Sequence, residues 1–202
     1  MMVRYGQISK IATGVCLAAG MLLLAACNNG QSDGEPTTVT IQKDGTVLSH
    51  IEESFEQDYY DMEELQQTIL MEAADYNKMA GEGKISVEKI SVDGGVATVR
   101  MVYQEPADYA AFNKVSFFAG AAGNVPEGYD LNVVLSSVKN ANETIGKSDI
   151  LGMEGYKLLV MDIQEPVYLD GRAEYVSSNV TVADDRKSVW LSGEGLGYAL
   201  YK

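Results

Sequence analysis

The chain has 202 residues, of which 29 are acidic and 15 are basic, and its formal net charge is −14. This balance argues against nucleic acid and anionic lipid headgroups as electrostatic partners, because both are bound through basic patches. Two cysteines and a single histidine are too few for a disulfide framework or a cysteine–histidine zinc site.

The first segment has the pattern of an export signal. "MMVRYGQISK" contains Arg4 and Lys10 and no acid, and the 17 residues from Ile11 to Cys27 are uncharged. A short basic region followed by an apolar run and small residues is typical of a secretory signal peptide. An uncleaved N-terminal anchor is the alternative, although the run is short for a membrane span. We therefore expect residues 1–26 to be a signal peptide that is removed.

The end of this run, Leu24-Ala25-Ala26-Cys27, resembles the lipobox of bacterial lipoproteins. In that family a diacylglycerol is attached to the cysteine sulfur and the peptide is cut before it. The resemblance implies that Cys27 is the lipid attachment site and that its two acyl chains anchor the protein stably to the outer, extracytoplasmic face of the cell membrane. The chain is similar in this respect to small surface lipoproteins of Gram-positive bacteria.

After cleavage the mature part retains 13 basic residues against 29 acids, which gives a net charge of −16. Residues 27–37 are predicted to be the lipidated cysteine and a flexible tether, because "NNGQSDGEP" is polar and rich in turn-forming residues. Residues 38–202 are long enough for one domain with its own core and short for two. We expect a single α+β domain there.

The domain begins with a predicted β-hairpin. "TTVTIQ" alternates, Asp44-Gly45 supplies the turn, and "TVLSHIEE" returns. His50 lies in this alternating pattern and is interpreted as an ordinary strand residue.

One amphipathic helix, over about residues 62–80, is the clearest helical element. Asp61 is a capping residue with Glu64 in the capping-box position, and Gly81 follows as a C-terminal stop. Apolar residues recur at spacings of three and four, namely Met62, Leu65, Ile69, Ala73, Tyr76 and Ala80. The stripe predicts packing against a sheet.

The remaining patterns are mostly strands. A second hairpin is predicted around "DGG" at 93–95, and a short helix at 107–113 after Pro106. Further strands are indicated by "KVSFFAG", "LNVVLSS", "KLLVMDI", "AEYVSS", "VTVA", "SVWLS" and "GYALYK". The predicted fold class is α+β, with mostly antiparallel β-sheet and one main helix.

Two glycine-containing motifs imitate nucleotide sites. "ANETIGKS", residues 141–148, fits a relaxed phosphate loop, but "DILGMEGYK" after it is a poor helix, so a polar surface loop is predicted. "GEGLG", residues 193–197, has only five residues after it and is interpreted as a turn before the last strand. We expect no nucleotide partner.

The stretch from Glu52 to Glu64 contains seven acids and no base. Calcium binding is one interpretation, although the ligand spacing of a calcium loop is missing. A carboxylate pair for glycoside hydrolysis, drawn from Glu52, Glu53 or Glu56, is another. The simplest interpretation is that the last acids favour the positive end of the helix.

The chain has twelve tyrosines but only four phenylalanines and one tryptophan. The tryptophan, Trp190, lies in the C-terminal half together with Tyr156, Tyr168, Tyr175, Tyr198 and Tyr201. Exposed aromatic rings stack on sugars or anchor protein partners, whereas half-buried rings stabilise a sheet. The sequence leaves open which rings are exposed.

These patterns predict a membrane-anchored extracytoplasmic lipoprotein that is a non-catalytic binding, accessory or structural module without a cofactor. An envelope protein or a glycan is its expected partner. The alternative is a small extracytoplasmic carboxylate-dependent hydrolase of the glycosidase type. A two-lobed solute receptor ranks last, because it needs alternating strands and helices in a longer chain.

Overall fold

Two stacked β-sheets form the framework of residues 36–202, the part of the chain that the computed structural model describes. Within this part there are thirteen strands, three α-helices and one short 3₁₀ helix, Ala122–Asn124. The α+β class with mostly antiparallel sheet is confirmed. No helix in residues 36–202 is long and apolar enough to cross a bilayer.

The larger sheet has seven strands. Its members are β1 (Thr38–Ile41), β2 (Val47–Ser54), β3 (Ile85–Asp93), β4 (Val96–Tyr103), β9 (Val167–Tyr168), β11 (Val180–Val182) and β12 (Ser188–Leu191). Their order is β11-β12-β9-β1-β2-β4-β3. All pairs are antiparallel except β1 with β9, where Val39 lies opposite Val167.

The smaller sheet has six strands, all antiparallel. They are β5 (Phe117–Ala121), β6 (Leu135–Ser137), β7 (Thr144–Ile145), β8 (Lys157–Met161), β10 (Ala173–Val176) and β13 (Gly197–Tyr201), in the order β5-β8-β13-β10-β6-β7. The chain changes sheet at several connections, one of which joins β8 to β9.

Both faces of the smaller sheet are buried. Along β8, Leu159 and Met161 join the core shared with the larger sheet, whereas Leu158 and Val160 join a second apolar cluster on the opposite side. Successive side chains of a strand point to opposite faces, so the continuous apolar run "LLVM", residues 158–161, supplies both clusters at once.

Two of the three α-helices pack against the shared core, and the third packs against the second cluster. They are α1 (Met62–Ala80), α2 (Pro106–Asn113) and α3 (Lys147–Gly152). Ala73 of α1 is buried in the core with Ile69 and Tyr76 packed beside it, as the apolar stripe predicts. The predicted bounds of α1 are confirmed, and the Asp61 side chain accepts hydrogen bonds from the backbone N–H groups of Glu63 and Glu64.

The two predicted hairpins and the helix after Pro106 are confirmed. The expectation of a plain loop at residues 141–148 is wrong, because Thr144–Ile145 form β7 and α3 begins at Lys147. Ile150 of α3 is fully buried in the second cluster, and this burial outweighs the weak helix propensity of the segment. Gly152 is the last residue of this short helix.

Candidate functional site

An aromatic surface lies where β2 leaves the larger sheet and the chain approaches α1. Phe55 and Tyr60 stack with their ring centroids 4.8 Å apart, and Tyr59 meets Tyr60 edge-on at 4.9 Å. The Tyr59 side chain is the most exposed large apolar side chain among the described residues, at 77%, and Tyr60 is 41% exposed. These rings project from the sheet rather than filling its core.

The backbone holds this segment in place. The Phe55 N–H donates to the carbonyl of Gly95 at 2.6 Å, and the Tyr60 N–H donates to the carbonyl of Gln57 at 2.9 Å. A Cβ atom at Gly95 would lie 2.9 Å from Cγ of Glu56. The φ of +79° at Gly95 favours glycine, and the absence of a Cβ atom leaves room for the Glu56 side chain beside the turn of the second hairpin.

Two carboxylates from distant parts of the chain interact electrostatically near this surface. Glu53 lies opposite Ala97 in the register of β2 and β4, so it shares the inner face of the larger sheet with Ile51 and Val99. Glu165 lies on the connection from β8 to β9. Burial and then the negative charge of Glu165 raise the pKa of Glu53.

The Tyr60 side chain is also influenced by the charge of Glu53. Its pKa is raised by desolvation, by the hydroxyl of Tyr59 and by the charge of Glu53. We name the group Glu53, Phe55, Tyr59, Tyr60 and Glu165 the acidic aromatic patch. Its chemistry, aromatic faces beside like-charged carboxylates, suits a positively charged ligand.

The three carboxylates predicted for a hydrolase are not brought together. Glu52 lies on the opposite face of the larger sheet from Glu53, with Oε1 3.3 Å from Nε2 of His50. Glu56 packs against Gly95. Only Glu53 of these three lies in the patch, and Glu165 had no distinguishing signal in the sequence beyond its place between two strands.

Calcium ligation by residues 52–64 needs several converging oxygen atoms. Within residues 36–202 no three or more histidine, cysteine, aspartate or glutamate side chains are grouped as metal ligands. Asp61, Glu63 and Glu64 instead occupy the start of α1, where the helix dipole favours negative charge.

The tyrosines of the C-terminal half mostly serve the fold. Tyr198 and Tyr201 are buried, and the Tyr198 hydroxyl donates to the carbonyl of Asp130 at 2.6 Å. The Tyr175 hydroxyl donates to Oε1 of Glu143 at 2.5 Å, which raises the pKa of Tyr175 to about 12. Tyr168 is 42% exposed, and its neighbour Val167 is buried, so its ring lies on the outer face of the larger sheet.

A concave surface lies beside α2. Its volume is about 360 Å³, and its lining includes Ala107, Ala110 and Ala111 of α2 with Phe118, Pro126 and Tyr129. Burial raises the pKa of Tyr129, and the backbone of Phe117 offsets part of this rise. No charged side chain lines this cleft, so it offers apolar contact and no acid–base chemistry.

Cys27, the predicted lipid attachment site, lies outside the described residues. Comparisons of the chain with protein-family models, with curated proteins and with solved structures found no match.

Proposed function

We propose that the protein is a membrane-anchored extracytoplasmic binding module. A lipid on Cys27 attaches it to the outer face of the cell membrane, and the domain after the tether presents the acidic aromatic patch to a partner. The anchoring part is supported by the Leu24-Ala25-Ala26-Cys27 sequence. The binding part is supported by one observation, the exposure of Tyr59 beside the paired carboxylates.

Exposed aromatic rings of this kind favour binding over a purely structural role. An aromatic side chain contributes a large contact area at low cost in conformational entropy, which is why tyrosine is enriched at interfaces. A core-forming role does not account for Tyr59, because three quarters of its surface is open to solvent. The patch is also open rather than enclosed, which suits a partner surface better than a reaction that must exclude water.

The anchoring step is tested by Cys27→Ala in the full-length protein. Detergent-phase partitioning of cell extracts measures attachment, and the size of the mature chain measures processing. We expect the variant to leave the detergent phase and to accumulate unprocessed. Cys16→Ala is the matched control, because Cys16 lies in the predicted signal peptide and its replacement should change neither readout. Normal partitioning and processing of Cys27→Ala would show that the anchor assignment is wrong.

A carboxylate-dependent hydrolase is the second candidate function, and the raised pKa of Glu53 beside Glu165 favours it. A general acid needs such a raised pKa, and retaining or inverting glycosidases place two carboxylates within roughly 10 Å of each other. Release of reducing ends from cell-wall glycans by the wild-type protein, abolished by Glu53→Gln, would assign this function. Absence of hydrolysis by the wild-type protein would exclude this second candidate and leave the binding module as the proposed function.

A further inference from the structure

The aromatic rings of the patch are placed for contact with something outside the domain. Tyr59 and Tyr60 are exposed and in contact with each other, and Phe55 stacks on the ring of Tyr60. The ring faces of tyrosine carry negative electrostatic potential and attract Lys and Arg side chains. The rings therefore provide contact area and a preference for cations together.

The segment that carries the rings has charges of one sign. The segment from Glu52 to Glu64 has seven acids and no lysine or arginine, and the fold adds Glu165 from a separate connection. Burial and then the negative charge of Glu165 raise the pKa of Glu53, so the two like charges repel in the folded chain. A bound cation relieves this repulsion, whereas a neutral sugar leaves it in place.

We propose that the acidic aromatic patch docks a basic, arginine-containing segment of a partner protein. The inference rests on the proposed function and names the partner of its binding surface. Tyr59 and Tyr60 are exposed, and so are the acids next to them in the sequence, Glu56, Asp58 and Asp61. This open acidic surface fits a peptide segment with several positive charges. Arginine is favoured over lysine, because its planar guanidinium stacks on aromatic rings and bonds carboxylates through two parallel N–H groups.

The test measures binding of fluorescently labelled hexa-arginine, hexa-lysine and hexa-glutamate to the full-length anchored protein in detergent, by fluorescence anisotropy. We expect hexa-arginine to bind more tightly than hexa-lysine, and hexa-glutamate to show no binding. Tyr59→Ala should weaken hexa-arginine binding about three- to fivefold and reduce the difference between the two basic peptides. Glu53→Gln should weaken both basic peptides.

Matched controls separate the patch from the general acidity of the protein. Tyr168→Ala removes an exposed tyrosine on the outer face of the larger sheet, and Glu154→Gln removes one exposed acid near the second apolar cluster. Neither should change peptide binding by a comparable factor. Thermal unfolding of every variant verifies that the domain is folded, and Tyr59 is exposed enough for its replacement to leave the core intact.

The proposal would be overturned if hexa-arginine and hexa-lysine bound equally well and Tyr59→Ala left both affinities unchanged. It would also be overturned if Glu154→Gln and Glu53→Gln weakened peptide binding by the same factor. A Tyr59-dependent thermal shift with a neutral cell-wall glycan, without peptide binding, would assign the rings to a sugar partner and would also overturn it. In that case the proposed binding module would stand. Failure of the anchor is read separately, from the partitioning of Cys27→Ala.

Discussion

The negative charge of Glu165 acts on the carboxyl group of Glu53, although the two residues come from distant parts of the chain. Glu53 lies on β2 and Glu165 on the connection from β8 to β9, and the pKa of Glu53 is raised by burial and by the Glu165 charge. An acid with a higher pKa in the folded than in the unfolded chain destabilises the fold when it ionises. This penalty is absent below the unfolded pKa near 4.5 and is fully present above the folded pKa.

Glu53→Gln should therefore stabilise the domain at neutral pH. The gain should be less than about 1 kcal/mol, because Glu53 is only half-buried and solvent screens part of its charge. It should decrease as the pH falls through the raised pKa and vanish below about 4.5, where Glu53 is protonated in both states. Urea unfolding across this pH range measures the effect.

Glu52→Gln is the control for this prediction. Glu52 follows the same strand but lies on the other face beside His50, away from Glu165. Its replacement should not stabilise the domain at neutral pH. A gain of the same size in both variants would mean that net charge, rather than the Glu53–Glu165 pair, sets the effect.

A second prediction concerns Asp108 of α2, which is buried and links two other elements. The Tyr76 hydroxyl donates to its Oδ1 at 3.1 Å, and Nζ of Lys84 lies 3.4 Å from its Oδ2. Asp108→Ala should destabilise the domain by about 1–3 kcal/mol, because it leaves both partners without this acceptor. Chemical denaturation measures the loss.

Glu105→Ala is the matched change, because Glu105 also contacts Lys84, at 3.0 Å, from an exposed position. Exposed ion pairs contribute little to stability, so this variant should unfold within about 1 kcal/mol of the wild type. Equal losses in Asp108→Ala and Glu105→Ala would contradict a structural role that depends on burial.

The local elements were predictable because each has its own signal. The bounds of α1 follow from Asp61, the apolar stripe and Gly81, and the first hairpin follows from Asp44-Gly45. The division of the strands between two sheets was not predictable, because alternation along a strand does not indicate which other strands pair with it. An extra residue at Glu88, between the pairs Val87–Met101 and Lys89–Arg100, likewise shifts the register without a signal in the sequence.

The candidate site was predictable only in part. The acidic stretch and Glu53 were visible in the sequence, but the contribution of Glu165 depends on the connection from β8 to β9. Tyr59 and Tyr60 were not distinguished from the other tyrosines, because exposure is decided by packing. Cys27 lies outside the described residues, so its lipidation stays a prediction.

A third prediction concerns the Asp61 cap at the start of α1. Its Oδ1 accepts from the N–H groups of Glu63 at 2.7 Å and Glu64 at 3.1 Å, which otherwise lack helical partners. Asp61→Ala should destabilise the domain by about 1 kcal/mol, and Asp61→Asn should retain most of the stability. Thermal unfolding compares the two variants; equal destabilisation by both would show that charge rather than capping matters.

The last prediction concerns Gly197, the first residue of β13, where "GEGLG" ends. A Cβ atom there would lie 2.4 Å from Cδ2 of Leu191 and 2.8 Å from Cγ2 of Val180. Both neighbours belong to the shared core, so they cannot move without disturbing it. Gly197→Ala should destabilise the domain by about 1–3 kcal/mol through overpacking, which urea unfolding measures.

Gly128→Ala distinguishes this packing effect from a general effect of replacing glycine. Gly128 lies in an exposed loop, and a Cβ atom there would meet nothing within 4 Å. Its replacement should leave stability unchanged or raise it slightly, because alanine reduces the freedom of the unfolded chain. If Gly197→Ala were equally harmless, the contact between β11, β12 and β13 would have room for an additional methyl group. The glycine at Gly197 would then serve the turn that precedes it rather than the packing of the two sheets.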